Sequence, residues 1–246
     1  MFEHAQLLAL PTETPNPAGN GDLAGIAWQR IRADIIAGNL APNTRLRIAL
    51  LRTAYGIGAT PLREALSRLV SERLVVSMDR RGFAVAPISL KELRDLTDLR
   101  KLLEKEALRQ SLKNGDEQWE ADVVSAVYKL GRLHERIQGG DLSAIDGWEL
   151  LNQEFHEALV SACDAPCLLH FRRTVYLYLQ RYRQICLSLT SPTRNVHNEH
   201  VAMQKAAIAR NYELLCELTD EHLERTYQRI AENGSLASTE SGKKPE

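Results

Sequence analysis

Between Leu23 and Ala37 apolar residues return at helical spacing. Leu23, Ile26, Ala27, Ile31, Ile35 and Ile36 fall on one side, with Arg30, Arg32 and Asp34 on the other. Asp22 stands where a carboxylate caps such a helix, and Gly38-Asn39 ends it. Ala41-Pro42-Asn43 signals a turn. Residues 45–48, Arg-Leu-Arg-Ile, alternate like a strand and lead into a short helix over 49–55, which Gly56-Ile57-Gly58 breaks. The next helix spans 60–72 with Leu62, Ala65, Leu66 and Leu69 on its apolar face. Thr60 reads as its cap, and Pro61 as its first helical residue, where a missing N–H costs nothing. Two short strands follow, over 74–77 and 83–85, with residues 79–82 at the hairpin tip.

From Leu90 to Glu232 every strong pattern is helical. Helices are predicted near 90–113, 117–138, 141–162, 166–189, 194–209 and 211–232, with Gly115, Gly139-Gly140, Pro166 and Pro192 at their junctions. The chain therefore reads as mainly α. Residues 23–87 form a winged helix-turn-helix, 88–92 a linker and 93–233 an all-helical bundle; residues 1–22 and 234–246 read as disordered tails. In a winged helix-turn-helix one helix enters the major groove and the helix before it fixes the angle.

Charge sharpens this division. Residues 23–87 hold ten arginines and no lysine against four acids, a net of +6, while the whole chain is at −1. A basic segment beside an acidic remainder points to a polyanion-binding module joined to something else. Cys163, Cys167, Cys186 and Cys216 form no C-x-x-C pair, which favours reduced thiols in a cytoplasmic protein over a cysteine zinc site. No apolar run approaches the ~20 residues of a membrane span, and the first ten residues lack the basic start of a signal peptide.

Residues 60–69, Thr-Pro-Leu-Arg-Glu-Ala-Leu-Ser-Arg-Leu, followed by Leu74-Val75 and by Arg81-Gly82-Phe83-Ala84-Val85, resemble the GntR superfamily of bacterial regulators. Arg94-Asp95-Leu96 through Arg100 to Glu104, with Phe155-His156-Glu157-Ala158-Leu159, resembles its FadR-type branch, whose all-helical FCD domain binds an effector. The resemblance covers residues 23–232 and implies a homodimer on a pseudo-palindromic operator, controlled by a metabolite. It also implies DNA contacts at Arg47, Arg52, Thr60, Arg63, Arg68, Arg80, Arg81 and Gly82. Two positions depart from the family. Gly58-Ala59 replaces a hydroxyl residue and a base-reading arginine, and Leu50 stands where an acid is common. Base readout thus shifts to Arg63, Arg47, Thr60 or the wing.

FCD domains of this kind often hold a divalent metal through an Asp-x-x-x-His pair and two later histidines. The matching positions here are Asn152, His156, His200 and His222, with Asn152 in place of the aspartate. Three histidines with an open position suit Zn²⁺ or Ni²⁺. His197, one turn before His200, reads either as a supporting residue or as exposed. Arg100 matches the family's Arg-x-x-x-Glu run and is expected to face the pocket, where a guanidinium pairs with a carboxylate; a surface pair with Glu104 is the competing reading. Which of Arg172, Arg173, Arg181 and Arg183 joins it stays open. The resulting expectation is a repressor of a catabolic operon, responsive to a small mono- or dicarboxylate and not an enzyme. Two others compete with it: a constitutive DNA-binding protein, and a metal hydrolase using Glu149 or Glu154 as base.

Overall fold

The computed structural model describes residues 22–78, 82–187 and 196–232. They divide into two compact units, residues 22–92 with 180–187, and residues 93–179 with 196–232.

The first unit begins with α1, Leu23–Ile36. Asp22 caps it by accepting from the Gly25 N–H at 2.8 Å. Its packed stripe is Ala24, Ala27, Ile31 and Ile35, whereas Leu23 and Ile26, expected on that side, are exposed. Asp34, expected on the polar face, is buried because Tyr55 and Asn39 both donate to its carboxylate. Strand β1, Arg45–Leu46, is shorter than predicted, since Arg47 already serves as the cap of α2, Ile48–Tyr55. Helix α3, Ala59–Ser71, starts one residue early, with Gly58 rather than Thr60 at its cap and no side-chain capping bond. Pro61 is still tolerated, because it lies within the first turn, where N–H groups have no partner inside the helix. Leu62, Ala65, Leu66 and Leu69 of α3 are buried, and the helix packs on α1. Strands β2, Val75–Met78, and β3, Gly82–Val85, complete an antiparallel sheet of order β1-β3-β2. Its register pairs Met78 with Gly82 and Leu46 with Phe83.

The second unit is all helical among its described residues. Helices α4, Leu90–Asn114, α5, Glu117–Gln138, and α6, Ile145–Val160, come first. A 3₁₀ turn, Leu142–Ala144, precedes α6 where continuous helix was expected. Then come α7, Pro166–Leu187, α8, Val196–Ile208, and α9, Tyr212–Glu232. From Gln180 onward α7 belongs to the first unit. Helix α5 packs against α6 and α8, and α8 against α9. Leu108, Val123, Leu130, Phe155, Leu159 and Met203 lie in the shared core. No described helix is long and apolar enough to cross a membrane.

Candidate effector and DNA-binding sites

Each histidine of the predicted set sits on the buried stripe of its helix. On α6, His156 lies beside Phe155 and Leu159; on α8, His200 precedes Met203, Ala206 and Ala207; on α9, His222 follows Leu215 and Thr219. Burying these stripes is what brings the imidazoles together. Ring centroids are 5.4 Å apart for His156–His200, 5.2 Å for His156–His222 and 4.9 Å for His200–His222. One ligating nitrogen from each lies within 4.8 Å of the others. A tetrahedral zinc site spaces its nitrogens about 3.3 Å apart, so the rings would need to draw in by up to about 1.5 Å.

The donor set suits a cation. Burial pushes the His156 pKa well below the usual imidazole value, with Arg100, His222, His200 and Arg172 adding to the effect, so this ring is neutral at pH 7. His222 Nδ1 meets Glu199 at 2.8 Å, the carboxylate support that orients metal-binding histidines. Asn152, one turn before His156, is buried and donates through Nδ2 to the Tyr176 hydroxyl at 3.0 Å. Its Oδ1 is buried with no hydrogen-bond partner among the described residues. Three imidazoles are donors that Zn²⁺ or Ni²⁺ takes, and an amide oxygen is a neutral, weaker one.

Arg100 is 3% exposed and reaches this cluster from α4. Its guanidinium lies over the Tyr176 ring, 4.7 Å from the centroid, and its Nε bonds Glu104 at 3.1 Å. The Arg100–Glu104 pair therefore forms, but inside the bundle rather than on its surface. Glu104 also accepts from Arg172 Nε at 3.0 Å. Burial works to raise the Glu104 pKa, but the guanidiniums of Arg172 and Arg100 outweigh it and hold the group below the ordinary value.

Arg172 of α7 joins this network. Arg173 is exposed beside Glu157, and Arg181 donates to the Ala86 carbonyl within the first unit. His197 stacks on His134 at 5.9 Å and is not one of the three clustered imidazoles. Glu154 pairs with the Lys129 ammonium on an exposed edge, and Glu149 accepts from the Tyr176 hydroxyl. Cys163 is buried against Gln110, whereas Cys167 is exposed. Neither Glu199 nor Tyr176 is singled out by the sequence. Arg172 was readable, since it continues the apolar stripe of Val175, Tyr176 and Leu179.

On the first unit Arg47, Arg52, Thr60, Arg63, Arg68 and Gly82 are all exposed. Thr60, Arg63, Glu64 and Ser67 recur on the outer face of α3, opposite its buried stripe. Arg68 lies toward α1, bonded to Glu64 at 2.8 Å with Asp22 at 3.9 Å. Gly82 has a φ of +95°, which glycine adopts without strain. Arg80 and Arg81 lie outside the described residues.

Known proteins share both units. Residues 24–85 match the gntR family of bacterial regulatory proteins, and residues 95–225 match the FCD domain. The chain is 42% identical over 224 residues to the uncharacterized HTH-type transcriptional regulator BphR of Paraburkholderia xenovorans (strain LB400), covering 91% of each protein. It is 36% identical over 205 residues to the HTH-type transcriptional repressor GlaR of Escherichia coli (strain K12), covering 82% of this chain and 91% of that one. In fold it is similar to the Escherichia coli protein McbR/YncC, with a TM-score of 0.70 at 21% identity over 85% of this chain and 97% of that one. These relatives are regulators rather than enzymes. A winged helix-turn-helix with an exposed basic reading helix, joined to an FCD bundle, makes this chain a DNA-binding transcriptional regulator of the bacterial GntR family.

Proposed function

We propose that the protein is a repressor whose operator binding is controlled by a small organic acid held in the second unit beside a divalent metal, Zn²⁺ or Ni²⁺. The observation that carries this reading is the meeting of His156, His200 and His222 from three helices, inside the bundle, next to Arg100. Asn152 Oδ1 with the three imidazoles would hold the ion. The ion would supply positive charge and an open position for a carboxylate oxygen. Arg100, with Glu104 and Arg172 holding it in place, would meet the same carboxylate. Buried polar groups of this kind argue against a long acyl chain and favour a mono- or dicarboxylate. A repressor role follows the name of the GlaR relative, and a homodimer on a pseudo-palindromic operator follows the family.

The test is thermal unfolding with a panel of small mono- and dicarboxylates, with EDTA and with added Zn²⁺ or Ni²⁺. An acid at one hundred times its Kd stabilises the fold by about 2.7 kcal/mol. The expected result is a shift by one acid that EDTA abolishes, with that acid releasing operator DNA in a binding assay. A shift that survives EDTA assigns the anchoring to Arg100 alone. No shift across the panel overturns the effector class and favours constitutive DNA binding.

A further inference from the structure

Asn152 is neutral, and a carboxamide can ligate a cation through only one of its two ends. Which end it offers is set by a chain of hydrogen bonds through Tyr176 to Glu149. Glu149, one turn before it on α6, is buried and accepts from Tyr176. Tyr176 gives its single hydroxyl hydrogen to Glu149 Oε1 at 3.1 Å. Its oxygen can then only accept from Asn152, so the amide must turn its Nδ2 to Tyr176, as it does at 3.0 Å. Oδ1 is left on the other side, buried and without a hydrogen-bond partner among the described residues. Asn152 shares a helix face with His156 one turn on. A buried carbonyl oxygen left unpaired is costly unless something binds it.

We infer that Glu149 and Tyr176 are positioning residues that hold the Asn152 amide with its oxygen toward the metal, and so let a neutral side chain serve as a ligand. This rests on the metal reading above. Its content is directional. With glutamine at position 149 the new amide can donate to the Tyr176 oxygen. The phenol hydrogen is then released toward Asn152, which turns its oxygen to Tyr176 and offers an NH₂ that cannot ligate. An aspartate at 152 is immune to this reversal, because one of its oxygens remains for the cation whichever way the phenol points.

The experiment titrates Co²⁺, a visibly absorbing stand-in for Zn²⁺, into the metal-free full-length protein and its variants, following the d–d bands and chelator competition. Glu149→Gln and Tyr176→Phe, which keeps the ring beneath Arg100, should each bind about 10- to 100-fold more weakly, with altered bands. In an Asn152→Asp background neither change should matter, so each double variant should bind as Asn152→Asp alone does. The Tyr176→Phe pair decides the matter if Glu149→Gln does not fold. A Tyr176→Phe or folded Glu149→Gln protein that keeps wild-type affinity and bands overturns the proposal. A loss that Asn152→Asp does not rescue also overturns it, since that would be a general disturbance of the helix. Wild-type protein that binds no Co²⁺, Zn²⁺ or Ni²⁺ overturns the metal reading itself, a result distinct from both.

Discussion

Arg172 has no exposed surface, and each of its three nitrogens is engaged. Nε meets Glu104, Nη1 meets Glu157 at 2.6 Å, and Nη2 meets the His156 carbonyl at 2.7 Å. Taking such a charge out of water is repaid only when its hydrogen bonds close, and here they do. Truncating Arg172 would leave Glu104 buried beside Arg100 and would strip a bond from the backbone that carries His156. Arg172→Ala is therefore expected to lower the unfolding free energy by about 3–5 kcal/mol, read by urea denaturation of the metal-free protein. A loss under about 1 kcal/mol would show that the bonds only offset desolvation. The residue scale is also where legibility divides. His156, His200, His222 and Arg100 could be picked from the sequence because each matches a position of a known pattern. Glu199, Tyr176 and the Glu104–Arg172 bond could not, because each acts on a side chain from another helix, and no spacing along one helix reports that packing.

Along α3 the same chemistry occurs twice with different surroundings. Arg63 stands on the outward face with Thr60 and Ser67, whereas Arg68 is turned toward Glu64 and Asp22. A guanidinium aimed at a base edge discriminates by about 1–3 kcal/mol, whereas one already paired must first give up its partner. Arg63→Ala is thus expected to weaken specific operator binding about 10- to 100-fold with the melting temperature unchanged, and Arg68→Ala to weaken it less. Fluorescence anisotropy at matched salt measures both. Equal losses would mean that Arg68 leaves Glu64 for the DNA. Most elements were legible from periodicity, and their errors share a cause. The start of α3 moved because Gly58 can cap with its backbone alone, and Asp34 moved inward because Tyr55 and Asn39 arrive from outside α1. A helical wheel places a polar residue outside unless it knows that residue's partners.

On the scale of the whole chain, charge is segregated: a net of +6 over residues 23–87 within a molecule of net −1 leaves −7 for the remainder. Operator affinity is then governed by a local field and falls with salt although the chain is slightly acidic overall. An acid that neutralises part of the second unit cannot weaken operator binding through bulk charge, which one ligand hardly alters. It must bind the DNA-competent state less well than another state. That demand is reciprocal. If saturating acid lowers operator affinity by some factor, saturating operator lowers acid affinity by the same factor, and for regulators this lies at about 5- to 150-fold. The four dissociation constants, for operator with and without acid and for acid with and without operator, should close to one ratio in metal-loaded protein. If the ion is the acid's anchor, as proposed, EDTA should drive both ratios to one together. Ratios that disagree would show that a further equilibrium, such as subunit association, is being shifted as well. Ratios of one in the loaded protein would return the chain to constitutive DNA binding, whatever its histidines hold.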